Sequence, residues 1–173
     1  MPKLDEIQFD ELKLDVFKIW KDSFLLTSGN SSHFNSMTIG WGSLGIMWHV
    51  PIVMVGVRPT RYTYEFMEKY DSFTICGFAP EYKTALNIMG SKSGRDIDKV
   101  KETGLTPCES SSIETPGFAE ASIIIECRKI YSDDLNKEKC SQLILDFYKD
   151  REYHRLYIGQ ILKVFGDKKV ICN

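Results

Sequence analysis

The sequence predicts a mainly β fold with helical insertions, built as a small β-barrel. Three observations lead there. Six short segments are apolar and rich in branched or aromatic residues: Phe24–Thr27, Ser36–Trp41, Ile52–Val57, Ser72–Phe78, Ala121–Tyr131 and Tyr157–Phe165. From Ser23 to Val57 the chain carries no Asp, Glu, Lys or Arg, whereas roughly nine would be expected at average composition. The helical stretches are short and do not alternate regularly with the strands, which argues against a parallel α/β sheet.

Each helix has its own local signal. In Arg61–Lys69, Tyr62 and Phe66 share one face and Glu65 and Lys69 pair on another. Glu81–Met89 follows Pro80, a residue favoured at helix starts. Ile97–Glu102 follows Asp96 as its expected N-cap, and Gly104 is placed to end it. Cys140–Tyr148 is a further short helix. Residues 108–119 read as a loose surface loop.

Composition bounds the function. The 173 residues fit a single domain, expected over 1–173, and 43% hydrophobic with 27% charged residues is ordinary for a globular protein. The formal net charge of -2 implies no basic face, so nucleic acid is not expected as a partner. The uncharged run is broken by Gly40, Gly42, His49 and Pro51, so no membrane span is expected. Residues 1–10 are charged and lack an apolar core, so no signal peptide is expected. Asn30-Ser31-Ser32 matches a glycosylation sequon and is read as chance. The cysteines at 76, 108, 127, 140 and 172 are scattered and odd in number. They read as small buried hydrophobes in a reducing, cytoplasmic setting, and no metal site is expected.

Gly40-Trp41-Gly42-Ser43-Leu44-Gly45 spells a dinucleotide fingerprint, but Pro51 and a strand follow too soon for the helix that fingerprint requires. As a strand, residues 35–42 place Met37, Ile39 and Trp41 on a bulky, core-like face and Ser36, Thr38, Gly40 and Gly42 on a small face. A planar group could approach that small face closely; a bulge or a barrel bend would give the same pattern.

Arg58-Pro59-Thr60-Arg61-Tyr62-Thr63 is the strongest chemical signal. A helix start favours negative charge, yet this one gathers Arg58, Arg61 and the hydroxyls of Thr60, Tyr62 and Thr63. Two guanidinium groups and free N–H groups suit a phosphate. The alternative is two solvated arginines with Thr60 as an ordinary N-cap. The Ser91–Asp96 segment adds a cationic turn through Lys92, Ser93 and Gly94; alone it reads as an exposed helix-entry turn, and it gains meaning only beside the arginine turn. His154 stands at the start of a late strand, as a pocket residue or simply a packed one. No nucleophilic triad and no carboxylate pair is present, so the catalytic residues stay unassigned and a cofactor would have to carry any redox chemistry.

These four segments occur in the order and spacing of the flavin reductase-like family, and the chain most resembles its flavoredoxin-like branch over about residues 20–165. The resemblance implies an FMN-binding split β-barrel and a homodimer. It places Asn35, Ser36, Met37, Thr38 and Trp41 along the isoalloxazine, and Arg58, Thr60, Arg61, Tyr62 and Thr63 at the phosphate. It brings Lys92, Ser93 and Gly94 to the ring, and His154 near the flavin from its own or the other subunit. The implied activity is an oxidoreductase moving electrons from NAD(P)H or a protein donor to a small-molecule or protein acceptor. A pure electron carrier and a non-catalytic flavin-binding module are the alternatives.

Overall fold

The computed structural model describes residues 4–15, 20 and 24–167; Ser23, Cys172 and the first three residues lie outside them. The strands are β1 (Asp5–Glu6), β2 (Phe24–Gly29), β3 (Phe34–Ile39), β4 (Gly42–Met47), β5 (Val50–Val57), β6 (Ser72–Gly77), β7 (Pro107–Cys108), β8 (Gly117–Phe118), β9 (Ile123–Asp134) and β10 (Arg155–Gly166). The helices are α1 (Tyr62–Lys69), α2 (Lys83–Ser91), α3 (Lys99–Thr103) and α4 (Gln142–Phe147).

The main sheet is antiparallel, in the order β3-β2-β6-β9-β10-β5-β4, with β1 added against the far end of β10. Its two outermost strands, β3 and β4, are separated in sequence by Gly40 and Trp41 alone. The sheet must therefore curl until its edges meet at that corner. It is a barrel left open between β3 and β4, as the expected fold class requires.

The inner face carries Leu26, Val53, Val55, Phe73, Ile75, Ile125, Tyr157 and Val164, each at most 1% exposed. Their β-branched and aromatic side chains suit a pleated, half-covered surface. A second cluster joins Leu25, Cys76, Leu86, Met89 and Phe118, packing α2 against the other side of the sheet. Glycine is required at Gly159, where a Cβ would come within 2.4 Å of the Phe73 ring.

Several boundaries differ from the sequence reading. Strand β4 was not anticipated, because its burial is uneven and three of its six residues are exposed apolar or glycine positions. The segment expected over Ser36–Trp41 spans Phe34–Ile39 instead. Helix α3 starts at Lys99, with Asp98 rather than Asp96 as N-cap; the Asp98 side chain accepts the Lys101 N–H. The N–H groups of Asp96 and Ile97 both bond to the Ser93 carbonyl, so that stretch is a turn. Gly104 ends the helix in the left-handed conformation, φ 69°, as expected.

Residues 108–119 are not loose. Thr115 to Phe118 are buried, and the buried Glu126 carboxylate accepts the N–H groups of Ser111 at 2.8 Å and Ser112 at 2.9 Å. Asn30 caps its own turn, accepting from the N–H groups of Ser32 and His33. The described cysteines are free thiols, with Cys76 and Cys127 buried and Cys108 and Cys140 partly exposed.

Gly159→Ala should destabilise the protein by about 1–3 kcal/mol through overpacking, and Phe73→Leu in the same chain should recover part of that loss. Urea denaturation of the single and double variants checks it.

Candidate functional site

The open corner of the barrel gathers nearly every residue that the sequence singled out. Two clefts meet there. One, of about 130 Å³, is lined by Asn35, Met37, Thr60–Thr63, Lys92–Arg95 and Lys99. The other, of about 210 Å³, runs from Met37 to Trp41 and is closed by Gly56, Arg58, Arg61 and His154. Met37 and Arg61 belong to both.

The first cleft is built around the start of α1. Strand β5 ends at Val57, Pro59 stiffens the turn, and the Arg61 N–H closes it on the Arg58 carbonyl at 3.0 Å. Arg61 itself is the N-cap, and no side chain caps the first turn. Thr60 is therefore not the ordinary cap considered above. The uncapped N–H groups and the helix dipole leave a site suited to an anion.

Two further contacts shape this cleft. The Asn35 amide donates to the Thr63 hydroxyl at 2.7 Å, tying β3 to α1. A Cβ on Gly94 would lie 2.1 Å from the Asn35 side-chain oxygen, so only glycine lets the 92–95 turn close against β3. Arg95 pairs with Glu65 and lies over the Tyr62 ring, 4.8 Å from its centre.

The arginines differ in their partners. Arg61 is exposed, and among the described residues its side chain reaches only the Gly90 carbonyl, at 3.4 Å. Arg58 is half-buried, and its Nε is buried with no hydrogen-bond partner. A buried guanidinium N–H without an acceptor is costly, and Arg58 lines the second cleft together with His154.

The second cleft follows β3, whose far side has no strand partner. No neighbouring strand covers this backbone edge, although its Ser36 carbonyl already accepts from the Lys99 ammonium. This corrects the face argument made from the sequence. The small face is covered by protein: the Ser36 hydroxyl bonds Thr27 at 2.8 Å, and Thr38 donates to the Leu86 carbonyl of α2 at 2.6 Å. Met37 and Ile39 do pack on the core. Trp41 does not; it is 46% exposed. The alternation stops when β3 ends at Ile39, so Trp41 swings out beside His154, with ring centres 4.6 Å apart.

His154 contributes from the same chain, just before β10. Its Nδ1 shares a hydrogen bond with the Tyr148 hydroxyl at 2.7 Å. Burial first, then the charges of Arg58 and Arg61, lowers its pKa to about 4, so the ring is neutral near pH 7. Lys92 lines the cleft at the start of α1. Lys99 was missed. Its ammonium is buried, although the charged run Asp96–Lys101 reads as solvent-facing, and no signal in the sequence sets it apart. No cluster of metal-ligating side chains occurs among the described residues.

The depressed His154 pKa has a definite sign. Between about pH 6.5 and 4 the unfolded chain binds a proton at this position that the folded chain does not. Stability should therefore fall as pH drops through that window, and His154→Gln should remove that component. Thermal melts of both proteins across the window check it.

Comparison with known proteins places this architecture. The family model for the flavin reductase like domain matches residues 21–170. An uncharacterized protein from Pyrococcus abyssi is 27% identical over 140 residues, covering 81% of this chain and 70% of its own. Among solved structures, the FMN-binding domain of a flavin reductases-like enzyme from Shewanella baltica superposes with a TM-score of 0.68 at 17% identity, over 98% of this chain and 81% of that one. Flavoredoxin of Desulfovibrio vulgaris gives 0.68 at 22% identity, over 98% and 78%. Nitrilotriacetate monooxygenase component B from Bacillus cereus gives 0.64 at 20% identity, over 83% and 67%. The open-cornered barrel is common ground with these structures, and with the match extending over most of its length the chain belongs to the flavin reductase-like domain family.

Proposed function

We propose that this protein is an FMN-dependent oxidoreductase, passing electrons from NAD(P)H or a protein donor through FMN to a small-molecule or protein acceptor. The observation that carries the reading is the uncapped start of α1, which opens into a cleft lined by Arg61 and Lys92 and so suits a phosphate monoester. The Shewanella relative, described as FMN-binding, supports the choice of flavin.

In this reading Arg61, Thr60, Tyr62 and the first N–H groups of α1 hold the phosphate, with Lys92 and Ser93 across the cleft. The open edge of β3 offers backbone groups to the planar ring, flanked by Trp41 and His154. Bound FMN would supply hydride and single-electron transfer. Neutral His154 adds a polar wall without charge, and Arg58 adds positive potential where a reduced, anionic ring would need it.

We also infer a homodimer. The β4–β5 hairpin exposes Ile46, Met47 and Trp48, and Trp48 and His49 form its turn at φ 51° and 61°. Large side chains in that left-handed region cost about 1 kcal/mol or more each. A second copy covering this exposed apolar tip offsets that cost. No helix among the described residues is long and apolar enough to cross a membrane. We place the protein in the cytoplasm, where its thiols stay reduced.

The visible spectrum of the purified protein, followed by anaerobic addition of NADH or NADPH, tests the reading. Flavin that bleaches quickly identifies a reductase. Flavin that stays oxidised favours an electron carrier or a non-catalytic flavin-binding module over a reductase, and no flavin after adding FMN overturns the proposal. Arg61→Ala should weaken FMN binding by about tenfold or more, the effect of one charge-assisted contact, and by more than Lys92→Ala. Fluorescence titration of both variants measures the difference.

A further inference from the structure

Beneath the cleft at the start of α1 lies a cation with no counter-ion. Lys99 is 7% exposed. Its ammonium donates to the Ser36 carbonyl of β3 at 2.5 Å and to the Met89 carbonyl of α2 at 2.9 Å. That leaves one of its three N–H groups without a protein acceptor. Among the described residues none of the ion pairs involves it. It lines the same cleft as Asn35, Arg61 and Lys92.

A buried ammonium held by carbonyl dipoles alone is unfavourable, and tying β3, α2 and α3 together does not require a full charge. The neighbouring acids do not neutralise it. Asp98 caps α3 through the Lys101 N–H, Asp96 and Glu102 are exposed, and Glu65 is taken by Arg95. The remaining charged groups on the flanking segments, Arg61, Lys92, Arg95 and Lys101, are all cationic. Neither β3 nor the last turn of α2 carries a charged residue.

We propose that Lys99 is a buried third cation of the anion site, reaching from below the same phosphate that Arg61 and α1 hold from above. The inference rests on the FMN reading and gives that site a proton-coupled affinity. Burial, then the charge of Arg61, lowers the Lys99 pKa to about 8. A phosphate dianion beside it favours the charged form and raises that value. Binding therefore takes up protons between about pH 8 and the ordinary lysine range near 10.5, and affinity falls as pH rises through the window. Without ligand the sign reverses. The folded pKa lies below the unfolded one, so the buried charge destabilises most below about pH 8 and stability rises toward 10.5.

Calorimetric titration of the full chain with FMN at pH 7 and 9.5, in two buffers of different protonation heat, tests this. The phosphate is a dianion at both values, and riboflavin, which lacks it, is the control probe. The wild type should lose about tenfold or more in FMN affinity at pH 9.5 and take up protons on binding. Riboflavin should show neither effect. Lys99→Arg keeps its charge throughout and should flatten the profile whatever its absolute affinity, with Lys92 still present. Lys99→Met should abolish the rise in ligand-free stability above pH 8; if it fails to fold, the wild-type heats and Lys99→Arg still decide. FMN binding without proton uptake, or an unchanged slope in Lys99→Arg, overturns the role of Lys99 alone. No FMN binding at pH 7 overturns the functional reading and this inference with it.

Discussion

Two residues, Gly40 and Trp41, join strands that stand at opposite ends of a seven-strand order, and much of the molecule follows from that connection. It forces the sheet to curl. Because β3 and β4 approach without pairing, it also leaves a seam with unsatisfied backbone edges. The cationic turn at Arg58–Thr63 stands at that seam because β5, which carries it, pairs directly with β4. The helices α2 and α3 close the other side. Scaffold and site are thus one construction: the cleft is where the barrel fails to close.

Much of this was legible in the sequence, and the exceptions have physical causes. The inner strands announced themselves through branched and aromatic runs, since their environment is uniformly apolar. The turn Arg58–Thr63 was legible because two cations at a helix start oppose the dipole. Strand β4 was illegible because its outer position leaves Gly45, Ile46 and Met47 unburied, so no alternation survives. Alternation put Trp41 on the core-like face because a period-two count does not know where a strand ends, whereas the family resemblance sets it at the cofactor. Lys99 could not be found, since burial of a lysine between Ser36 and Met89 depends on segments far apart in sequence.

The two titratable groups at the seam show how one cation field acts at two depths. Arg58 and Arg61 both bear on His154, and Arg61 also bears on Lys99. In each case burial is the larger cause and the guanidinium charge adds to it. Near pH 7 the outcome differs: His154 is neutral while Lys99 keeps its charge. A turn held by Gly94 against Asn35 keeps these groups at fixed spacing, which preserves the field from one molecule to the next.

Strand β10 comes late in the chain yet sits in the interior of the sheet, between β9 and β5. During synthesis, β2 to β6 and then β9 leave the ribosome before their central partner exists. Until residues 155–166 emerge, β5 and β9 lack the strand that joins them, and β1 has no Gly166 to pair with Asp5. Contacts of such long sequence separation slow folding, and they make nascent or truncated chains prone to pair edge to edge with one another.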